Sequence, residues 1–101
     1  MTVSAGSRDE AVKVADSLLD ARLAACVQIV GPVESRYWWR GERELASEWL
    51  CLVKTRTALL DRVVAAVRAA HSYETPEVVA VPIVGGDPAY LAWLEDEASG
   101  I

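Results

Sequence analysis

Two short, strongly apolar runs, residues 49–55 (WLCLVKT) and 78–84 (VVAVPIV), limit what this chain can become more than any other feature. Their length and β-branched content suit buried strands rather than helices. Between them lie an amphipathic stretch and the densest chemistry in the chain. Residues 71–77, His71-Ser72-Tyr73-Glu74-Thr75-Pro76-Glu77, hold the only histidine, a tyrosine, two carboxylates and a proline. A loop clamped between a helix and a strand is where binding groups are most readily displayed.

The remaining segments fall around those runs. Residues 1–5 (MTVSA) form a short strand, and Gly6 turns into a capping box in which Ser7 caps the helix and Glu10 reaches back. Ala11, Val14, Ala15, Leu18, Leu19 and Arg22 then recur at helical spacing, with Asp9, Lys13, Asp16 and Asp20 on the wet side, predicting a helix to about Ala24. Residues 26–30 (CVQIV) start a strand that Gly31-Pro32 bulges or bends before it resumes over 33–39. Trp39-Arg40-Gly41-Glu42 is a turn, and residues 43–55 return as a second long strand, polar in its outer half and apolar in its inner half. Successive strand residues point to opposite faces, so Tyr37, Trp38 and Trp39 cannot all be buried against one core, and part of this hairpin is expected to meet another chain.

Thr57 is placed to cap a second helix with Leu60, Val63, Val64, Val67 and Ala70 on its apolar side, ending at His71. Residues 78–84 follow as a strand whose Pro82 places it at a sheet edge. Gly85-Gly86 leads to Asp87 as N-cap and Pro88 in the first turn of a last short helix carrying Tyr90, Leu91, Trp93 and Leu94. The order β-α-β-β-α-β plus a C-terminal helix predicts a ferredoxin-like α+β sandwich over a single domain, 1–101, with a long β2–β3 hairpin. That arrangement serves many functions and does not fix this one.

Composition enters where assembly and partners are concerned. A hydrophobic fraction of 52 % with four Trp exceeds the soluble average of roughly 45–50 %, so the excess apolar surface is expected in subunit contacts. With 10 basic against 15 acidic residues and no basic cluster, neither nucleic acid nor an anionic membrane is an expected partner. No run of 18 or more apolar residues and no signal-peptide pattern occurs. Cys26 and Cys51 lack metal or disulfide spacing, and the chain is read as cytoplasmic.

The residues support binding rather than catalysis. Cys26 with His71 is the only candidate nucleophile–base pair, and neither has a Gly-rich oxyanion turn beside it. Gly85-Gly86 lacks the following Gly-Lys-Ser/Thr of a phosphate loop. His71, Glu74 and Glu77 offer one to three donors to copper or another divalent cation, an incomplete set that predicts weak binding. Lys54, ending the apolar strand, either emerges into water or faces a carboxylate of the 71–77 loop or an anionic ligand.

Five segments, in order, resemble the CutA divalent-cation tolerance proteins: Arg22-Leu23-Ala24-Ala25-Cys26, Trp39-Arg40-Gly41-Glu42, Lys54-Thr55-Arg56, residues 71–77, and the set Pro82, Gly85, Tyr90, Leu91 and Trp93. The resemblance covers nearly the whole chain. It implies a ferredoxin-like subunit in a tight homotrimer, built like the PII signalling proteins, with hairpins wrapping neighbours, and a link to copper tolerance. It also implies ligand-facing roles for Cys26, Lys54, Tyr73, Glu74, Glu77 and Trp93, and a metal role for His71. Two positions depart from the family pattern. Ser72 stands where a proline is usual, and Val3 stands where some members have a metal-binding cysteine. Two functional classes follow: a metal-binding tolerance protein, or a non-catalytic trimeric sensor or scaffold that binds a small anion or a partner protein.

Overall fold

The computed structural model describes all 101 residues. Strand β1 (Thr2–Ala5), helix α1 (Arg8–Asp20), the long strands β2 (Cys26–Trp39) and β3 (Glu42–Lys54), helix α2 (Leu60–Ala70), a two-residue β4 (Val78–Val79) and helix α3 (Pro88–Glu97) follow in order. The four strands form one sheet in the order β2-β3-β1-β4, all neighbours antiparallel. This is the ferredoxin-like arrangement expected from the sequence, with β1 in the interior although it is the second shortest strand.

Register explains where the core lies. Val3 is opposite Cys51 and Ala5 is opposite Trp49, so the odd-numbered residues of β1 and β3 share a face, and α1 and α2 pack on it. Val3, Cys51 and Val53 from that face meet Val14 and Leu18 of α1 and Val63 and Val67 of α2 in a core with almost no exposure. Removing such a side chain from water is worth roughly 1.5–3 kcal/mol. Helix α3 extends the same core through Leu94 and Ala98. The residues just after it are tied down by Arg56, whose guanidinium donates to the carbonyls of Ala98 at 2.6 Å and Ser99 at 3.2 Å.

Helix α1 stops earlier than its apolar stripe suggested. Arg22 adopts a left-handed φ of 58°, its N–H bonds to Leu19 O, and the N–H of Leu23 reaches back to Leu18 O. These bonds make a Schellman motif with arginine where glycine is usual. A non-glycine residue there costs about 1–2 kcal/mol, offset by burial of Leu23 against Leu18. The N-cap is also simpler than expected. Ser7 Oγ accepts from Glu10 N–H at 3.1 Å, but the Glu10 carboxylate does not reach back; it is drawn across to Ser72 and His71. Thr57 does not cap α2 either, because residues Thr57–Leu59 form a 3-10 turn that leads into the helix without a side-chain cap.

The bulge in β2 sits at Gly31-Pro32, where the pairing shifts register between Val30 and Val33. Beyond it the hairpin runs to a two-residue turn with both centres at positive φ, Arg40 at 52° and Gly41 at 80°, the backbone that matches strand twist. The apolar run 78–84 is only partly strand. Val78 and Val79 pair with β1 at the sheet edge, and residues 80–87 continue without ladder bonds, leaving Val81 and Val84 76 % and 97 % exposed. The expected seven-residue strand is reduced to two: Val79 pairs with Thr2, and beyond it no strand of this chain lies alongside.

At the bulge, a Cβ on Gly31 would lie 2.6 Å from the Trp49 ring, whereas one on Gly85 would meet nothing within 4 Å. Gly31→Ala is therefore expected to lower stability by about 1–3 kcal/mol, the scale of overpacking, and Gly85→Ala to leave it nearly unchanged. Denaturant unfolding of the two variants side by side checks this, and equal losses would contradict it.

Candidate functional site

The 71–77 loop is held by the sheet it crosses. His71 closes α2, and its side chain has no exposed surface. Its Nε2–H donates to the carbonyl of Ser4, which, being only an acceptor, fixes the proton on that nitrogen. Nδ1 accepts from the Tyr73 N–H at 3.1 Å and lies 3.0 Å from Glu10 Oε1. The same Glu10 accepts from the Ser72 hydroxyl at 2.8 Å. A helix N-terminus, a helix C-terminus and the central strand are thereby joined at one imidazole.

Tyr73 comes next and is laid over Gly6, where any Cβ would lie 2.9 Å from its hydroxyl. The phenol donates to Glu48 Oε2 at 3.1 Å. Burial and the neighbouring Glu48 carboxylate push the Tyr73 pKa up to about 12, so the hydroxyl stays a donor at physiological pH. Glu48 itself is only 7 % exposed and makes no other side-chain bond.

These groups form one end of an open cleft of about 540 Å³ between the loop and the hairpin. Glu48 is opposite Val33, Ala46 is opposite Ser35, and Tyr37 and Trp39 are opposite Glu44 and Glu42, so all eight point to one face of the hairpin. Ser35, Tyr37, Trp39 and Glu48 line the cleft from that face, and Glu74, Thr75 and Glu77 line it from the loop. Trp38, on the opposite face, is 69 % exposed. Arg40 at the hairpin tip spans the opening to Glu74 at 3.3 Å.

Among the sequence-derived candidates, the structure thus gathers Tyr73, Glu74 and Glu77 around the cleft and leaves the others elsewhere. Lys54 does not face the loop; it donates to Gln28 Oε1 at 2.8 Å, on the far end of the hairpin where Cys26 is its cross-strand partner. Trp93 stacks against Tyr90 on α3, with ring centroids 5.4 Å apart. His71, expected as a metal ligand, has both ring nitrogens engaged. No group of three or more His, Cys, Asp and Glu side chains stands close enough to hold a metal ion. These residues do not fit a resident divalent-metal centre within one chain.

Glu48 and Glu10 were missed at the sequence level. The one available signal for Glu48 was that it sits directly before the apolar run of β3, one residue inside the polar half of the hairpin. Glu10 stands where a capping residue is expected, and its partners in the structure lie more than 60 positions away.

Fold and site together describe a ferredoxin-like chain whose long hairpin and 71–77 loop flank an open, polar, aromatic-walled cleft. The chain belongs to the CutA1 divalent ion tolerance protein family, whose profile matches residues 1–97. A solved structure, the divalent cation tolerance protein from Thermus thermophilus, superimposes with a TM-score of 0.93 at 41 % identity, over 95 % of this chain and 93 % of that one. The periplasmic divalent cation tolerance protein CutA from Archaeoglobus fulgidus gives 0.92 at 40 %, over 96 % and 94 %. A chloroplastic CutA 1 of Oryza sativa subsp. japonica is 43 % identical over 94 residues, 93 % of this chain and 53 % of that protein. The chain spans about half the length of the rice and Arabidopsis relatives, 53 % and 52 %, and 91 % of the Archaeoglobus and Thermus proteins.

The raised Tyr73 pKa gives a testable pH window. A phenol whose folded pKa, about 12, exceeds the unfolded value of about 10 contributes stability that is complete below pH 10. That contribution is lost as pH rises through 10 to 12. Stability measured across that range is expected to fall, and Tyr73→Phe to flatten the fall. An unchanged profile in Tyr73→Phe would show that the Tyr73–Glu48 contact carries no linkage.

Proposed function

We propose that this chain is one subunit of a homotrimeric, non-catalytic divalent-cation response protein that takes small ligands in clefts between subunits. The observation that carries the reading is the unsatisfied edge beside an apolar sheet face. Residues 80–87 have no ladder partners, and the face turned away from the helices presents Val30, Leu50, Leu52 and Val79. Only 17 of 101 residues are buried in the isolated chain, so its apolar excess has little to pack against at home. An open, apolar sheet edge is a ready template for another chain. Closing such head-to-tail contacts into a ring avoids open filaments.

Assembly is also what would bring the scattered candidates together. Cys26 and Lys54 at one end of the hairpin, Trp93 on α3 and the 71–77 loop are all at least partly exposed but apart within one chain. A ligand touching both groups would lie between subunits. In this reading copper or another divalent cation binds weakly, since a metal at His71 must first displace Ser4 or Tyr73. The tolerance role then acts through ligand sensing or a partner protein, as in a PII-like sensor or scaffold. A cytoplasmic setting fits the two free thiols.

Sedimentation equilibrium at low micromolar concentration is expected to show a single species of three chains, and a stable monomer would overturn the assembly. Trp38→Ala is expected to weaken association by about 2–4 kcal/mol, the scale of a central aromatic anchor. Calorimetric titration with copper(II) is expected to show micromolar or poorer binding, the mark of an incomplete ligand set; a nanomolar site would place metal binding at the centre of the function instead.

A further inference from the structure

The cleft between hairpin and loop has a charge pattern that points to the kind of ligand it takes. Its one buried charged residue is Glu48, more than nine-tenths buried, whose carboxylate receives one hydrogen bond, from Tyr73, to one of its two oxygens. The other oxygen has no protein donor and is not sealed from solvent. A carboxylate so enclosed is costly unless a counter-charge meets it. The protein supplies none: neither Glu48 nor Glu77 joins any ion pair.

The cations nearby are already committed. Arg36 at the rim is bound to Glu34 at 3.2 Å, and Arg40 to Glu74 at 3.3 Å. The hairpin face that carries Glu48 adds Glu42 and Glu44 beside Trp39 and Tyr37, so its uncompensated charge is negative throughout. The walls are aromatic, with Tyr37, Trp39 and Tyr73 each about 40 % exposed, at 41 %, 40 % and 37 %. Trp39 already demonstrates the chemistry, since the Arg40 guanidinium carbon stands 5.3 Å from its ring centroid. An aromatic face beside a buried carboxylate is the pairing that holds organic cations. A bare metal ion would find few converging oxygens here, and an anion would be repelled.

We propose that this cleft binds a small organic cation, an alkylammonium or guanidinium group, whose charge meets the free oxygen of Glu48 and whose carbon body lies against Tyr37, Trp39 and Tyr73. The proposal rests on the reading of the protein as a ligand-binding assembly and names the ligand class for its cleft. Glu77 at the mouth guides the charge inward, and the Ser4–His71–Tyr73 chain of bonds keeps the Tyr73 hydroxyl on Glu48. A cationic side chain from a second copy could offer the same chemistry, so the test separates a free ligand from a neighbour.

Saturation-transfer NMR on the intact assembly, with n-butylammonium, 1-butanol and butyrate as probes and sedimentation run in parallel, decides it. Butylammonium is expected to saturate and to receive transfer from the aromatic rings, while butanol and butyrate show no saturable signal. Glu48→Gln, which keeps the shape and a Tyr73 partner, is expected to weaken butylammonium by about tenfold or more, the worth of a hydrogen bond to a charged group. Glu77→Gln serves where that variant fails to fold, with a smaller loss, and Asp16→Asn on the wet face of α1 is expected to bind like the parent. Butanol or butyrate saturating as well as butylammonium would overturn the ligand class and leave the cleft a binding site. No saturation by any probe on an intact trimer would overturn the site with it. Parent-level binding by a folded Glu48→Gln would overturn the role of Glu48, and its dissociation into monomers would show that a neighbouring chain occupies the cleft.

Discussion

The imidazole of His71 is the point on which the cleft depends. Its two nitrogens can satisfy only two partners at a time, and they are set against the Ser4 carbonyl on one side and the Tyr73 N–H on the other, with Glu10 close behind. Because the ring is fully enclosed, losing either bond would leave a buried polar group unpaired, a penalty of about 1–3 kcal/mol. The loop after α2 is therefore directed rather than merely connected. From that fixed start, Tyr73 reaches Glu48 and the loop lies alongside the hairpin.

Gly6 makes that geometry possible from the other side. The turn between β1 and α1 passes beneath the Tyr73 ring, and only a residue without a Cβ leaves room for the hydroxyl. Ser72, standing where relatives are expected to carry proline, finds a use in the same cluster: its N–H and hydroxyl both donate to Glu10. A proline would have no N–H to give. Compared with a proline, Ser72 lacks a fixed φ but makes two hydrogen bonds, so the loop is held by contacts.

The hairpin shows the opposite condition, a strong local structure with too little to cover it. Its strands pair from Cys26–Lys54 out to Trp39–Glu42, so backbone bonding is complete. Trp38 and Leu45, at 69 % and 60 % exposed, nevertheless sit in water on the face away from the cleft. With the extents of the chain at 44 × 26 × 21 Å, the hairpin accounts for the long axis. Such apolar exposure on fully paired β structure is the kind of surface that another chain would cover.

Periodicity and turn chemistry determined the elements on their own. The alternation in β2 and β3, the Arg40-Gly41 turn, the apolar stripes of α1 and α2 and the Asp87-Pro88 start of α3 are all local signals, since each depends on neighbours within a turn or a strand pair. Everything decided at long range escaped the sequence. Glu10 left its expected cap for Ser72, Lys54 turned to Gln28 instead of the loop, and α1 ended at a left-handed Arg22 because Leu23 had a buried place to go. Residues 80–87 have no ladder partner in this chain, since the pairing of β4 with β1 stops at Val79 and Thr2. Burial of Glu48 was equally invisible, for a glutamate in the polar half of a hairpin reads as solvated until a tyrosine 25 positions away closes over it. The sequence by itself indicated most of the helices and strands, residues 80–84 and the end of α1 excepted, because periodicity and turn chemistry are local; which polar groups share a site was settled only by tertiary structure, because distant side chains meet only once the sheet has formed.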